Sequence, residues 1–307
     1  MSGFRVLKPG ILSQFQDAGR FGHHATGLTT GGPIDGEAFY WANRLVGNKQ
    51  GETVVEVALG GLNLECGEAT TIAITGADLP LKINGHPKAL WRSHQVTPGD
   101  VVDLKHAEKG MRTYLAVAGG FIGKPVFGST STVVREGVGT ALIAGQTLDC
   151  AAQVREPKAV PMEHIPRYTE DVLLRIITGY QFSRFSEESR EKFLASVFTV
   201  SNRSDRMGTR LEGVVIEPPS GGLLSEGISL GAVQVPPDGQ PIVLMNDRQT
   251  IGGYPKLGSV LSVDLWKLGQ CRPGSRVGFQ IISMEDAADA VKQETEALGA
   301  VELKHAV

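Results

Sequence analysis

The chain has 307 residues, a formal net charge of −3, 21% charged and 6% aromatic side chains, 39 glycines and three cysteines. That length suggests two domains, each large enough to bury a core. The balanced charge, with no basic block, argues against nucleic acid or an anionic membrane as a partner, and three scattered cysteines without a C-x-x-C argue against a zinc site or a disulfide framework.

The first ten residues, MSGFRVLKPG, lack the apolar core of a signal peptide, and no run approaches the roughly 18 apolar residues of a membrane span. A cytoplasmic protein with reduced thiols is expected. The glycines are not periodic. They fall between short apolar runs, as in a chain of many strands and tight turns.

In chain order, "QDAGRFGHHATGLTTGGPID" (16–35) comes first and sets Gln16, Asp17 and Arg20 among glycines. Arg20 either grips an anion with its fork of donors or pairs with Asp17 to brace a turn. "DGEAFYWANRLVGN" (35–48) predicts a helix. Asp35 caps it, Ala38, Phe39, Ala42, Leu45 and Val46 form its apolar stripe, and Gly47 stops it. Strands are expected at 70–76, 101–104 and 112–120, from β-branched runs bounded by Gly or Asp. "GSTST" (128–132) offers Ser129 and Ser131 either to an anion nest or to a simple Ser/Thr turn.

The segment 151–171 has three prolines and no periodicity, and it reads as the linker between the two halves. Beyond it, strands are expected at 172–179, 197–201, 241–245, 259–265 and 276–283. Helices are expected at 186–195 and at 283–299, where Ser283 and Asp286 form a capping box. Each half, with many short strands and about one helix, closes most naturally as a β-barrel or sandwich.

Nucleotide loops do not survive inspection. "AVAGGFIGKP" has Ala118 where a P-loop needs glycine and Pro125 where it needs a hydroxyl for magnesium, and "GVGTAL" lacks the third glycine of a dinucleotide fingerprint. The histidines show no metal-ligating spacing. Two polar clusters remain. "SNRSDRMGTRLEG" (201–213) brings Arg203, Asp205, Arg206 and Arg210 together, either as an ion network or as an anion clamp. "MNDRQTIGGYPKLGSV" (245–260) is denser: Asp247 is suited to act as a general base or to hold an ammonium, Gln249 and Thr250 to bond an amide or a carboxylate, and Lys256 to stabilise an oxyanion or to accept a carboxyl group. Gly252-Gly253 lets Tyr254 and the backbone approach a ligand.

These clusters, in this order, resemble the biotin-dependent-carboxyltransferase-like family, also called the allophanate hydrolase subunit 2 family. The residues that carry the resemblance are "QDAGRFG" (16–22), "ANRLVGN" (42–48), "RTYLAVAGG" (112–120), "GSTST" (128–132), "SDRMGTRLEG" (204–213), "LLSEGISLGAVQVPPDGQPIVLM" (223–245) and "DRQTIGGYP" (247–255). Three places depart from the family pattern. "GGPID" replaces Gly-Ala-Met/Leu-Asp, "GTALIAGQTL" (139–148) lacks an expected Arg and Asp, and Ile251 stands for a second Thr.

The resemblance implies a mainly β chain of two cyclophilin-like β-barrel domains, at 1–155 and 171–285, with a linker at 156–170 and a C-terminal helix and tail at 286–307. It also implies a subunit of an ATP-dependent 5-oxoprolinase, inactive by itself, which opens 5-oxo-L-proline to L-glutamate. The partners would be a protein resembling allophanate hydrolase subunit 1 (the B-type component of 5-oxoprolinase) and a third subunit. ATP with magnesium would be used by the complex. Two other readings stay open: a carboxyltransferase acting on urea or a similar amide, with biotin supplied by another chain, and a regulatory partner of a kinase inhibitor. The expected catalytic residues are Asp247, Gln249 and Lys256. Substrate binding is expected from Arg20, Asp35, Ser129, Ser131, Arg203, Asp205, Arg206, Arg210, Gln234, Thr250, Gly252, Gly253 and Tyr254, with no metal ligands.

Overall fold

A computed structural model describes residues 3–221 and 224–306. It is mainly β and divides into two compact units. The first comprises residues 1–20, 31–168 and 301–307, and the second 21–30 and 169–300. The segment read as a linker therefore belongs mostly to the first unit. It carries a short strand, Lys158–Ala159, and Tyr168, whose hydroxyl bonds Asp35 at 2.9 Å. No helix among the described residues is long and apolar enough to cross a membrane.

The first unit is two sheets sharing one core. The six-stranded sheet runs Thr147–Leu148, Phe4–Pro9, Leu62–Cys66, Val101–Leu104, Leu81–Ile83, His86–Lys88. The seven-stranded sheet runs Leu12–Gln16, Val54–Ala58, Lys109–Val117, Thr70–Asp78, Arg92–Val96, Lys158–Ala159, Lys304–His305. Alternate residues of both sheets, among them Val6, Leu64, Ile72, Ile74, Val102 and Leu115, are fully buried between them. Helix α1 (Gly36–Leu45) forms as its sequence predicts. Asp35 Oδ1 accepts from the Ala38 N–H at 3.0 Å, the predicted apolar stripe is buried, and Gly47 sits at φ +71°.

The second unit contains a closed barrel, in the order Asp171–Thr178, Lys256–Val260, Ala232–Gln234, Ile242–Leu244, Gly208–Glu212, Phe198–Val200, Arg276–Ile281. The first and last of these strands close it by parallel pairing. Gly258 is required where the barrel turns tightly, because a Cβ there would lie 2.1 Å from the Ile177 carbonyl oxygen. Helix α2 (Glu187–Ala195), capped by Ser186, stacks Phe193 on Phe279 with centroids 4.5 Å apart.

Residues 259–265, predicted as one strand, divide. The strand ends at Val260, and helix α3 (Ser262–Gly269) begins two residues later. Tertiary bonding overrides the β-branched pattern here. The fully buried Asp264 of α3 accepts from Arg175 N, Nε and Nη2, each at 2.8 Å, and from Lys267 Nζ at 2.9 Å. Helix α4 (Met284–Ala300) starts at the predicted Ser283–Asp286 cap, and its Glu294 joins Arg175 at 2.7 Å.

Burial raises the Asp264 carboxyl, but its hydrogen bonds from Arg175 and Lys267 outweigh that effect and hold it below the usual 3.8. Asp17 is likewise held low: burial is opposed by hydrogen bonds from Ser129, Ser131, Thr130 and Gly19. A carboxylate whose folded pKa is depressed stabilises the fold above its unfolded pKa and loses that contribution as pH falls through the folded value. Thermal melts should therefore show no effect of these groups from pH 7 to 5 and a loss of stability below about pH 4. Asp264→Asn should melt lower at neutral pH and decline less steeply in acid. Parallel acid limbs for the two proteins would rule out Asp264 as a source.

Candidate functional site

The second unit concentrates its polar groups where the strand Ile242–Leu244 leaves the barrel. Asn246–Thr250 is pinned by the inserted loop 21–30 of the same unit. There Thr29 Oγ1 donates to the Asn246 carbonyl at 3.2 Å and to the Arg248 carbonyl at 2.8 Å. Asp247 is buried against Arg206, taking Nε and Nη2 at 2.9 Å each, and its own N–H bonds the Arg206 carbonyl.

Gln249 and Gln234 converge on Gly252. A methyl group at 252 would lie 2.4 Å from Ile228 Cδ1, 3.1 Å from Gln234 Nε2 and 3.5 Å from Gln249 Nε2, so glycine lets Ile228 and both glutamines pack against the backbone there. Gln234 is 1% exposed. Among the described residues, Gln234 Nε2 and Gln249 Oε1 are both buried and have no hydrogen-bond partner. Leaving one such atom unpaired costs about 1–3 kcal/mol. An unpaired amide donor and an unpaired amide acceptor are the groups that the C=O and N–H of a ligand amide satisfy.

Register adds the neighbours. Gln234 pairs with Lys256 on the neighbouring barrel strand, while Glu226–Gly227 pairs with Ile251–Gly252 in a two-stranded ribbon that puts Glu226 opposite Gly252. Lys256 Nζ meets Glu226 Oε1 at 2.5 Å, Gln181 Nε2 donates to the same oxygen at 2.7 Å, and the Tyr180 hydroxyl donates to Oε2. Lys256, then Tyr180, hold the Glu226 carboxyl below its usual range.

Arg248 is the anomaly. It is 6% exposed, and its recorded bonds go to the Ile228 carbonyl (3.2 Å) and to His24 Nε2 (3.3 Å). No carboxylate among the described residues pairs with it, and desolvation alone pushes its pKa down to about 10. A buried cation without a counter-charge is costly unless something negative arrives.

The other predicted residues are distributed as follows. Thr250 is buried, and its carbonyl accepts from the Ile228 N–H. Tyr254 and Gly253 are exposed beside Gly252. Arg203 reaches Glu212 on the surface at 3.5 Å, Asp205 accepts from the Met207 and Gly208 N–H groups in a turn, and Arg210 is half-buried in its strand. The arginine cluster of 201–213 is therefore divided among separate partners.

Arg20, Asp35, Ser129 and Ser131 belong to the first unit. Arg20 is 1% exposed and donates to the carbonyls of Val126, Ser129 and Ser131. The Ser129–Ser131 segment does form an anion nest, and its anion is the chain's own. Asp17 accepts from the Ser129 and Ser131 hydroxyls at 2.6 Å each and from the Thr130 N–H at 2.7 Å. Asp35 uses both oxygens, for Ala38 and for Tyr168.

Sequence reasoning missed Arg248 and Glu226 as site members, along with Tyr180 and Gln181. The first two lie inside the stretches "DRQTIGGYP" and "LLSEGISLG". What was not legible is that Asp247 neutralises Arg206, 41 residues away, and leaves its own neighbour Arg248 unneutralised.

The chain belongs to the carboxyltransferase domain family, subdomain A and B, whose model matches residues 26–281. It is 34% identical to the C-type component of the 5-oxoprolinase of Escherichia coli K12 over 93% of both chains. It is 36% identical to the corresponding 5-oxoprolinase component of Haemophilus influenzae over 92% of both. Among solved structures it matches the Kluyveromyces lactis urea carboxylase with a TM-score of 0.90 at 28% identity, covering 96% of this chain and 29% of that one.

Proposed function

We propose that this chain is a subunit of an ATP-dependent 5-oxoprolinase and supplies its lactam-recognition site. The observation that carries the reading is that one stretch of the second unit holds an unpartnered amide donor, Gln234 Nε2, an unpartnered amide acceptor, Gln249 Oε1, and a buried arginine, Arg248, that no carboxylate among the described residues neutralises. The near full-length similarity to two 5-oxoprolinase subunits supports it.

A strain-free lactam resists hydrolysis because amide resonance makes its nitrogen a poor leaving group. Transfer of a phosphoryl group from ATP to the lactam oxygen turns that oxygen into a leaving group, and water then attacks the carbon. Protonation of the nitrogen and scission of the C–N bond leave an acyl phosphate, and a second water hydrolyses it to glutamate and inorganic phosphate. Gln249 accepts the ring N–H, Gln234 donates to the carbonyl oxygen, and Arg248 takes the phosphoryl or oxyanion charge as it develops. The chain has no nucleotide loop, so a partner subunit holds the ATP. A urea-type amide offers the same N–H and C=O, and the likeness to urea carboxylase supports carboxyl transfer as the second reading.

The test is 5-oxoproline-dependent phosphate release by the chain co-expressed with a partner resembling the family's first subunit and with a third subunit. The chain alone should release none. In the complex, Gln249→Ala should reduce release about tenfold or more, with the melting temperature within a few degrees. Unchanged turnover would remove the site from the reaction, and urea- and biotin-dependent phosphate release in its place would establish the second reading.

A further inference from the structure

The proposed chemistry leaves Glu226 without a task, yet three donors converge on it. Lys256 Nζ and Gln181 Nε2 take one carboxylate oxygen and the Tyr180 hydroxyl takes the other. Gln181 is itself fixed, because its Oε1 accepts from the Lys256 N–H at 2.8 Å. A charged donor, an amide and a phenol aimed at two oxygens from different residues form a receptor for a carboxylate.

The carboxylate that fills the receptor is loosely carried. Glu226 stands on a ribbon of two residues per strand, held by two register pairs and by the Ile228 N–H on the Thr250 carbonyl. Its side chain is 33% exposed, and Tyr180 is 73% exposed, so water already reaches the cluster. A partly exposed ion pair contributes little net stability, because solvent screens it and two side chains must be ordered to make it. An incoming anion can displace it, whereas Asp247 on buried Arg206 is not replaceable in this way.

Position connects the receptor to the amide pair. Lys256 lies directly across from Gln234, and Glu226 directly across from Gly252, on which both glutamines converge. A ligand with its amide on the glutamines therefore has its neighbouring substituent within reach of Lys256. In a ring lactam that bears a carboxylate on the carbon next to nitrogen, the carboxylate is that substituent. Urea has none.

We propose that Lys256, Tyr180 and Gln181 form the subsite for the substrate's carboxylate, and that Glu226 occupies it as a removable stand-in until substrate arrives. The proposal rests on the lactam reading for its ligand. It makes Glu226 a competitor of substrate, one that keeps small anions off Lys256, and it makes the site selective for carboxylate-bearing amides.

Calorimetric titrations of the full chain, alone and in the complex, test this with three probes: L-5-oxoproline, 2-pyrrolidone (lactam without carboxylate) and N-acetylglycine (open-chain amide with carboxylate). Glu226→Gln should tighten both carboxylate probes about tenfold, the discrimination expected of one charge-assisted contact, and leave 2-pyrrolidone within about twofold. Lys256→Met should weaken the carboxylate probes by a similar factor and spare 2-pyrrolidone. If Glu226→Gln weakens the carboxylate probes, leaves them unchanged, or tightens all three alike, Glu226 is a structural latch and the proposal falls. Failure of every probe to bind chain and complex also overturns it. If the complex does not turn over 5-oxoproline but N-acetylglycine shows the Glu226 and Lys256 dependence, the subsite stands and the reaction assignment fails. If turnover is present and Glu226→Gln is without effect, the reaction stands and the subsite fails.

Discussion

Asp247→Ala should lower the melting temperature by about 10 °C or more. Its carboxylate accepts two parallel hydrogen bonds at 2.9 Å from Arg206, and both side chains are less than a tenth exposed. Removing one partner of a buried pair leaves the other charge desolvated, which costs about 3–5 kcal/mol. At this domain size each kcal/mol shifts melting by about 2–4 °C. The double variant Arg206→Met/Asp247→Leu should recover most of the loss, because it removes both charges together. A double-mutant cycle that finds no coupling would show that the pair is incidental. The cycle also tests the catalytic role expected of Asp247. If the stabilised double variant restores turnover, Asp247 acts by holding the 246–250 turn. If turnover stays low, it acts on substrate.

What was legible in the sequence was whatever a few neighbouring residues decide. Asp35 and Ser283 cap their helices as read, because capping joins groups three residues apart. Most strands of the second unit lie where β-branched runs are bounded by turn residues. Helix α3 was not legible, since "SVLSVDL" has strand composition and the buried carboxylate of Asp264 finds Arg175 89 residues away. The same limit applies to charge. Asp17 and "GSTST" were each visible, but their union spans 112–114 residues. The density of arginines at 203–210 left both an ion network and an anion clamp open. The structure divides those arginines among carboxylates and turns and leaves Arg248 without one. Counting cations along a chain does not reveal which of them the fold leaves unneutralised.

That residual charge makes the strongest prediction about function. Arg248→Met should raise the melting temperature by a few degrees while reducing kcat/KM of the assembled complex by about a hundredfold or more. The first half follows from burial. The guanidinium is 6% exposed with no carboxylate partner among the described residues, and desolvation pushes its pKa down to about 10. The charged form is therefore disfavoured in the folded state at any pH below that value, by roughly 3 kcal/mol as an order of magnitude. Methionine keeps the stem's apolar packing. It gives up the bonds to the Ile228 carbonyl and His24, worth about 1 kcal/mol each, so a net gain of about 1 kcal/mol remains. The second half follows from placement. Arg248 is proposed to take the charge that develops on the lactam oxygen, and removing a preorganised donor from such a position typically costs about 10²–10³ in kcat. Lysine should restore part of the activity and none of the two-pronged geometry. A variant that melts lower than the wild type would mean that the guanidinium already has a stabilising partner. One that melts higher and turns over normally would mean that its charge is not used in the reaction. Differential scanning calorimetry and phosphate release on the same preparations separate the three cases.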